Sequence, residues 1–335
     1  MILKIIFLYL LIFLINFSFK KLNYLKSSTG SSHQLFANTS TPLTGGVLIC
    51  FPIIFFFSQI YIEIVIVYFL IFILGILSDL NIIESPKKRF LYQIIIIIFF
   101  SFYLELEVLP SRIFILDDFL MGTFLSFIFT SFCLMVLING SNFTDGLNGL
   151  LLGYLIIIFL ILYDLKLFET LSIQRENFLL IIQILFFVLL LNFANQLFLG
   201  DNGAYSLSFI VGCLLIKIYN FDNNISPYFI ILLLWYPCFE NLFSIIRKNK
   251  FKNSPINPDS KHLHQLLYFY LKKNFSLRNL FANNLGSIVI NSFNLAVFII
   301  ASSNYSSTIF QLFLIIFCIA SYLLFYRFLF NFRFL

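Results

Sequence analysis

Acidic side chains follow three of the apolar stretches in this sequence, namely Asp79, Asp145 and Asp201. A carboxylate at the C-terminal end of a helix faces the negative end of the helix dipole, which costs roughly 0.3–1 kcal/mol. Three such groups would also repel one another if the fold brings them together. A hard divalent cation relieves both problems, because Mg²⁺ takes one or two carboxylates together with phosphate oxygens and water. The three aspartates therefore suggest a site for Mg²⁺ (or Mn²⁺) and a phosphate compound.

Each aspartate also has a simpler interpretation. Asp145 could cap a helix that begins at Leu147, and Asp201 could cap one that begins at Ala204, since Asp is a common N-cap residue. Asp79 could be an ordinary interfacial residue. The occurrence of all three in one chain favours a functional role.

Glycines and basic residues surround these acids. Four glycines lie beside them in the sequence: Gly146, Gly149, Gly200 and Gly203. They would let backbone approach a diphosphate closely, although ordinary turns need glycine as well. Three basic residues follow Ser85-Pro86: Lys87, Lys88 and Arg89. These could bind phosphate, or they could act only as topology signals.

Two of the three histidines, His262 and His264, lie in a polar, basic segment that covers residues 247–284. On a helix, side chains two residues apart project in different directions, whereas an extended loop puts them on one side. Zinc is disfavoured because no Cys or further His is nearby to complete four ligands. Contacts to phosphate, or general acid–base catalysis, fit this pair better. The alternative is a solvated loop.

The composition places these residues in a membrane protein. The chain is 61% hydrophobic and 11% charged, with a mean hydropathy of +0.99, against about 25% charged residues in a soluble domain. Its net charge of +6 does not indicate nucleic-acid binding, because the basic residues lie in short loops between apolar runs. We therefore expect a single all-α, polytopic catalytic domain over residues 1–335.

A spanning helix needs about 20 apolar residues, and about 17 suffice. This rule predicts eleven transmembrane helices, at 2–19, 45–60, 64–80, 90–104, 119–138, 147–163, 177–193, 204–219, 227–246, 285–302 and 308–327. With strict alternation, sixteen of the 21 Lys and Arg residues fall on one face. That face is cytoplasmic by the positive-inside rule, with the N-terminus outside and the C-terminus inside. The acidic motifs and the histidines all fall on this cytoplasmic face.

Four sequence motifs, in order, resemble a known family. They are LGILSDL at 74–80, NFTDGLNGL at 142–150, LGDNGAY at 199–205 and the run from Ser254-Pro255 through HLHQLL at 262–267. These are similar to successive signatures of the polyprenyl-phosphate N-acetylhexosamine-1-phosphate transferases. The family includes the muramyl-pentapeptide enzyme and enzymes that begin O-antigen, teichoic acid and other surface glycans. The resemblance covers about residues 41–267.

The resemblance implies a Mg²⁺-dependent enzyme of the bacterial cytoplasmic membrane. It would transfer sugar-1-phosphate from a UDP-sugar to undecaprenyl or another polyprenyl phosphate and release UMP. Whether the protein forms a homodimer is left open.

By similarity, Asp201 would be the chief metal ligand, aided by Asn142, and Asp79 would lie near the lipid phosphate. Asp145 would belong to the nucleotide-side loop with Asn142, and the two histidines would contact the diphosphate or sugar. The remaining residues implied in substrate binding are Lys87, Asn148, Gly200, Asn202, Gly203 and Asp259.

The sequence departs from the family pattern at three positions. Ser78 stands where the family has the first acid of a pair, so a general-base role there cannot be carried over. Asn148 replaces a second Asp found in many members, although a branch with D-G-x-N-G exists. Leu43 stands where the family often has Arg. A member with weakened catalysis is therefore one alternative.

A secondary transporter is an alternative of another class, since acidic residues in a polytopic bundle often mark ion pathways. Transporter sites lie near mid-bilayer, on broken helices in repeated halves. Here the acids fall at span ends and the sequence shows no internal repeat, which favours the enzyme.

Overall fold

A computed structural model describes residues 2–25, 41–58, 61–108, 110–222, 224–250 and 260–334. Within these ranges the chain forms fourteen α-helices, one short 3₁₀ helix at Leu167–Leu171 and no β-strand. The helices are α1 Ile2–Leu22, α2 Gly45–Phe57, α3 Ile62–Asp79, α4 Pro86–Tyr103, α5 Phe114–Leu120, α6 Phe124–Thr144, α7 Leu150–Asp164, α8 Arg175–Phe193, α9 Gly200–Phe221, α10 Pro227–Leu233, α11 Trp235–Lys250, α12 Leu263–Phe275, α13 Asn279–Ser302 and α14 Thr308–Phe334.

Six of the described helices are long and apolar enough to cross a membrane: α3, α6, α8, α9, α13 and α14. The number becomes seven if α10 and α11, which bend by 73° at their junction, form one span. Helices α2 and α7 are apolar but shorter, at 13 and 15 residues. The predicted class, an all-α polytopic membrane protein, is confirmed. The count of eleven spans, their orientation and the single domain over 1–335 stay predictions.

Two predicted spans are interrupted. The span predicted at 119–138 includes the end of α5 and most of α6, and the break lies at Gly122, whose φ is +72°. The span predicted at 227–246 breaks at Leu234 because Pro237 has no N–H to donate to the carbonyl of Leu233. The hydroxyl of Tyr154 donates to that carbonyl instead, at 2.8 Å.

Helix α12 lies inside the segment predicted as a polar cytoplasmic loop. Its apolar residues recur at helical spacing, with Leu263, Leu266, Leu267 and Leu271 all buried. At 13 residues it is too short to be found by a rule that looks for spans.

Helix α9 is the most buried of the six candidate spans, with 83% of its apolar window covered by protein. Two glycines let neighbouring helices cross its first turn. A Cβ on Gly75 of α3 would lie 2.3 Å from the Cα of Asn202, and one on Gly46 of α2 would lie 2.0 Å from the Oδ1 of Asn202. Only glycine allows such close backbone approach. The start of α9 is thereby held against α2 and α3.

Candidate active site

The ends of α3 and α6 and the start of α9 carry the three aspartates. Asp79 is the last residue of α3, and Asp145 follows α6 as its C-cap. Asp201 lies in the first turn of α9. The expectation that Asp201 stands at a helix C-terminus is therefore wrong, because at a helix N-terminus the dipole favours its charge.

The simple capping interpretations are also wrong. Helix α7 begins at Leu150 with Gly149 at its N-cap, so Asp145 does not cap it. Helix α9 begins at Gly200, before Asp201, so Asp201 is not an N-cap residue either.

Asp79 binds the N-terminus of α9. Its Oδ1 accepts the backbone N–H of Asp201 at 2.9 Å, and its Oδ2 accepts that of Asn202 at 3.0 Å. The side-chain amide of Asn202 also donates to Oδ2. The two backbone donors, from Asp201 and Asn202, are among the N–H groups that a helix leaves unpaired at its start. The contact offsets the unfavourable dipole of α3, and it fixes the position of Asp201.

Asp201 accepts three hydrogen bonds on Oδ2. The donors are Nη1 of Arg89 at 2.7 Å, the hydroxyl of Tyr205 at 3.2 Å and the hydroxyl of Ser78. Nη1 of Arg89 also donates to the Ser78 oxygen. No described residue donates to Oδ1 of Asp201. That oxygen remains available to a ligand, and 19% of the Asp201 side chain is exposed.

Asn142 joins the same group through Tyr205. Its Nδ2 donates to the Tyr205 hydroxyl at 3.4 Å, and that hydroxyl donates to Asp201. The structure thus brings together Asn142 and Asp201, the two residues that the family resemblance assigns to metal binding.

Asp145 lies close enough to the other two aspartates for their charges to act on it. Burial raises the pKa of the Asp145 carboxyl well above its usual value, and the negative charges of Asp201 and then Asp79 raise it further. A hydrogen bond from the backbone of Gly200 lowers this pKa by a smaller amount. The three carboxyl groups therefore form one electrostatically coupled cluster, which a cation would stabilise.

Asparagines from two other helices shape the turn that follows Asp145. The backbone N–H of Asn148 donates to Oδ1 of Asn283 at 2.7 Å, and that of Gly149 donates to Oδ1 of Asn192 at 2.5 Å. Nδ2 of Asn291 donates to the Gly149 carbonyl at 3.0 Å. Gly149 has φ +75°, a conformation that favours glycine. The sequence was not used to predict a role for Asn192, Asn283 and Asn291. A polar residue within an apolar helix would have indicated one.

The two histidines lie side by side at the start of α12. His262 is the extended N-cap residue and His264 lies in the first turn. Their rings stack with centroids 5.6 Å apart and 16° between planes, although only His262 has the extended backbone that was expected of both and His264 is helical. Their exposed fractions are 4% and 0%, so the solvated-loop interpretation is wrong. A Cβ on Gly146 would lie 2.3 Å from Nε2 of His264, which places the pair against the Asp145 turn.

Other predicted residues are placed less centrally. Lys87 is exposed in the first turn of α4, and Arg89 reaches Asp201 in its stead. Asn202 is fully buried and donates to Asp79 and to the Leu43 carbonyl, at 3.1 Å for the latter. These contacts hold the start of α9 in place, and the role of Asn202 in substrate binding stays a prediction.

The remaining predicted residues differ in how far the structure describes them. Gly200, with φ +76°, begins α9, and Gly203 follows within its first turn. Asn148 is 6% exposed. Asp259 lies outside the described residues.

A divalent cation at this site would be bound by oxygen atoms of the side chains described above. Among the described residues, no three His, Cys, Asp or Glu side chains are grouped so as to hold a metal by themselves. Mg²⁺ does not require such a cage, since it takes one or two carboxylates and fills its other positions with phosphate oxygens and water. Oδ1 of Asp201 and the electrostatically coupled carboxyl of Asp145 fit that requirement.

Known proteins with similar sequences are glycosyl transferases and sugar-phosphate transferases. A family model described as glycosyl transferase family 4 matches residues 61–219. The chain is 31% identical to a phospho-N-acetylmuramoyl-pentapeptide-transferase of Dictyoglomus thermophilum, over 62% of this chain and 70% of that protein.

Two further relatives are named as undecaprenyl-phosphate N-acetylglucosaminyl 1-phosphate transferases. The Thermotoga maritima protein is 25% identical over 58% of this chain and 58% of its own length. The Bacillus subtilis protein, named as a probable enzyme of this kind, is 29% identical over 62% of this chain and 59% of its own length. The chain thus matches less than two thirds of the length of these two relatives.

Proposed function

Because the chain belongs to the polyprenyl-phosphate N-acetylhexosamine-1-phosphate transferases of glycosyl transferase family 4, we propose that it transfers an N-acetylhexosamine-1-phosphate group from a UDP-sugar to undecaprenyl phosphate or another polyprenyl phosphate. UMP is the second product. The lipid-linked sugar would begin a surface polysaccharide, an O-antigen or a cell-wall glycan. The setting would be a bacterial cytoplasmic membrane, with the site on its cytoplasmic face.

The observation that carries this proposal is the meeting of Asp79, Asp145 and Asp201 at helix ends, together with Arg89. An acidic cluster with one arginine suits a diphosphate held by a divalent cation. Its position at the ends of apolar helices would let a lipid phosphate and a water-soluble nucleotide reach the same place.

In the proposed reaction, an oxygen of the lipid phosphate attacks the β-phosphorus of the UDP-sugar. The bond from that phosphorus to the UMP oxygen breaks, and UMP leaves with the electron pair. Phosphoryl transfer of this kind depends mostly on positioning and on stabilising negative charge. When bound, Mg²⁺ or Mn²⁺ would neutralise charge on the diphosphate oxygens.

The residues of the chain would provide the positioning. Oδ1 of Asp201 and the amide oxygen of Asn142 would hold the cation, with Asp145 beside them. Asp79 fixes the start of α9 and hence Asp201. Arg89 lies beside Asp201, and its guanidinium, which has five N–H donors, would also stabilise negative charge on an incoming phosphate.

Ser78 does not by itself argue for a weakened enzyme. The second pKa of a phosphate monoester is about 6, so at neutral pH the lipid phosphate carries close to two negative charges. Such a nucleophile needs no general base. In this chain Ser78 instead donates a hydrogen bond to Asp201 and accepts one from Arg89.

The transporter alternative is less consistent with the geometry. Transporter sites lie near the membrane midplane on broken helices. The only broken helix pair among the described candidate spans is α10 with α11. The three aspartates instead belong to α3, the C-cap of α6 and the first turn of α9.

The proposal is tested with purified full-length protein in detergent, supplied with polyprenyl phosphate, Mg²⁺ and a panel of UDP-N-acetylhexosamines. We expect UMP release with at least one sugar. Asp201→Asn should lower turnover by at least a hundredfold, whereas Asp164→Asn, at the exposed end of α7, should leave it within about twofold. Absence of UMP with every sugar, or full activity of Asp201→Asn, would contradict the proposal.

A further inference from the structure

The two carboxylates at the start of α9 already accept hydrogen bonds from the protein itself. Both oxygens of Asp79 accept backbone N–H groups of α9. Oδ2 of Asp201 accepts Nη1 of Arg89 and the hydroxyl groups of Ser78 and Tyr205. Of these carboxylate oxygens, only Oδ1 of Asp201 accepts no hydrogen bond from the described residues. A divalent cation would therefore bind the free protein most readily at this oxygen.

Arg89 places a positive charge on the same carboxylate. Its Nη1 lies 2.7 Å from Oδ2 of Asp201, and only 25% of the Arg89 side chain is exposed. Water and salt therefore screen this charge less than they would at a fully exposed position. A guanidinium on one oxygen of Asp201 would repel a divalent cation on the other oxygen. Arg89 and the cation thus compete for the negative charge of Asp201.

Ser78 gives Arg89 no second negative partner. Nη1 of Arg89 donates to the Ser78 oxygen, and the Ser78 hydroxyl donates to Asp201. A serine is neutral, so it accepts this hydrogen bond without balancing the guanidinium charge. In the part of the chain that the structure describes, Asp201 is the one acid in a salt bridge with Arg89. The serine at position 78 thus leaves the charge of Arg89 on the proposed cation ligand.

A bound diphosphate would change this balance. Its oxygens complete the coordination of Mg²⁺, which takes few protein ligands. The hydrogen bonds of Arg89 to Asp201 and Ser78 both come from Nη1, and the other guanidinium nitrogens would donate to a phosphate oxygen. Arg89 and the divalent cation would then each have a negative partner of their own.

We propose that Arg89 and Ser78 make cation binding depend on the substrate. Arg89 acts as an internal cation that weakens the binding of Mg²⁺ or Mn²⁺ to the free protein, and the divalent cation binds together with the diphosphate of the UDP-sugar. The dependence on the diphosphate rests on the proposed function, whereas the competition at Asp201 does not. Such coupling is reciprocal, so the cation and the nucleotide raise each other's affinity by the same factor.

Titration with Mn²⁺ tests the competition without any turnover. Free Mn²⁺ is measured by electron paramagnetic resonance with purified full-length protein in detergent, and neither nucleotide nor lipid phosphate is added. We expect Arg89→Gln to bind Mn²⁺ at least about tenfold more tightly than the unmodified protein, because the competing charge is removed. Ser78→Asp should also bind at least about tenfold more tightly, because the new carboxylate pairs with Arg89 and adds negative charge.

Three control variants show where the ion binds and which charge matters. Lys88→Gln removes an exposed positive charge next to Arg89 in the sequence, and Ser78→Asn adds a side chain of the size of aspartate without its charge. Both should stay within about twofold of the unmodified protein. Adding Asp201→Asn to Arg89→Gln should abolish the tighter binding, because the ion then loses its carboxylate ligand.

The same titration with UDP tests the dependence on the diphosphate. UDP carries the diphosphate that every UDP-sugar shares, and the binding of Mn²⁺ to UDP alone is measured without protein and subtracted. UDP should raise the Mn²⁺ affinity of the unmodified protein at least about tenfold, and the gain should be smaller in Arg89→Gln.

The competition and the transferase function fail separately. Mn²⁺ affinities of Arg89→Gln and Ser78→Asp within twofold of the unmodified protein would overturn the proposal even if UMP is released, and so would equal tightening in Lys88→Gln. If Ser78→Asp does not fold, the rise in unfolding temperature that Mn²⁺ produces in Arg89→Gln and in the unmodified protein gives a second comparison. An equal gain from UDP in both proteins would overturn the dependence on the diphosphate. The expected Mn²⁺ affinities without UMP release from any UDP-sugar would instead count against the transferase function.

Discussion

Replacing Asp79 by asparagine should destabilise the protein more than the same change at Asp201. Asp79 accepts hydrogen bonds on both carboxylate oxygens from the start of α9. An asparagine has one oxygen, so at least one backbone N–H of Asp201 or Asn202 would face an NH₂ group. A hydrogen bond to a charged group contributes about 1.5–3 kcal/mol.

Two further effects modify this value. The charge of Asp79 at the N-terminus of α9 contributes about another 0.3–1 kcal/mol, and its removal relieves some repulsion from Asp201. We therefore expect Asp79→Asn to lower the free energy of unfolding by about 1–3 kcal/mol. Asp201→Asn should cost less, because Arg89, Tyr205 and Ser78 all donate to a single oxygen of Asp201 and an asparagine side chain still provides one oxygen.

The assay is thermal unfolding of the purified variants in detergent, without divalent cations, with Asp164→Asn as the control for losing an aspartate. Asp79→Asn should unfold at a temperature several degrees lower, and Asp201→Asn should stay near the unmodified protein. If Asp201→Asn were the less stable variant, or if both matched the control, Asp79 would not be holding α9.

Three further substitutions test the site. Arg89→Gln should lower kcat/KM at least tenfold because Arg89 contacts Asp201, whereas Lys87→Gln, which changes an exposed residue, should stay within about threefold; steady-state UMP release compares them. Gly146→Ala should lower turnover at least tenfold, since its Cβ would lie 2.3 Å from Nε2 of His264; an unchanged rate would show that the ring moves freely. Asp145→Asn should raise the thermal unfolding temperature at neutral pH and lower turnover. Burial and two neighbouring carboxylates raise the pKa of Asp145, so its charged form is disfavoured in the folded protein; a lower unfolding temperature would contradict this.

Alternation of apolar spans predicted that the acids and histidines share one membrane face, which stays a prediction, and the structure shows His264 against the turn after Asp145 and Asp79 against the start of α9. The alternation could not show how Asp79 is used, because the acceptor and donors are 122 and 123 residues apart in the sequence. The sequence suggested repulsion that a cation relieves, whereas the fold also relieves it with backbone N–H groups of α9.

The basic residues after Pro86 show a second limit of prediction from the sequence. Lys87, Lys88 and Arg89 were all candidates for phosphate binding in the sequence, and the resemblance selected Lys87. Helix α4 begins at Pro86, so these three side chains point in three different directions from its first turn. Packing of α4 against α3 and α6 decides that Arg89 faces the acids. Such a rotation is a tertiary property.

Glu240, whose Oε1 lies 2.8 Å from Nδ1 of His262, and the three asparagines could have been identified as candidates from the sequence. A carboxylate within an apolar run is rare enough to indicate a partner, and the same reasoning applies to Asn192, Asn283 and Asn291 in apolar helices. The sequence did not identify the partners, because His262 and the Asp145 turn are reached only through the packing of α11, α12 and α13.

The account depends most on the transfer itself, which a mass measurement of the lipid product tests directly. Purified protein is incubated with polyprenyl phosphate, Mg²⁺ and each UDP-N-acetylhexosamine, and the lipid fraction is analysed by mass spectrometry. We predict a polyprenyl diphosphate carrying one N-acetylhexosamine, which is absent with Asp201→Asn. An unmodified lipid phosphate with every sugar donor, or a product of equal yield from Asp201→Asn, would contradict the account.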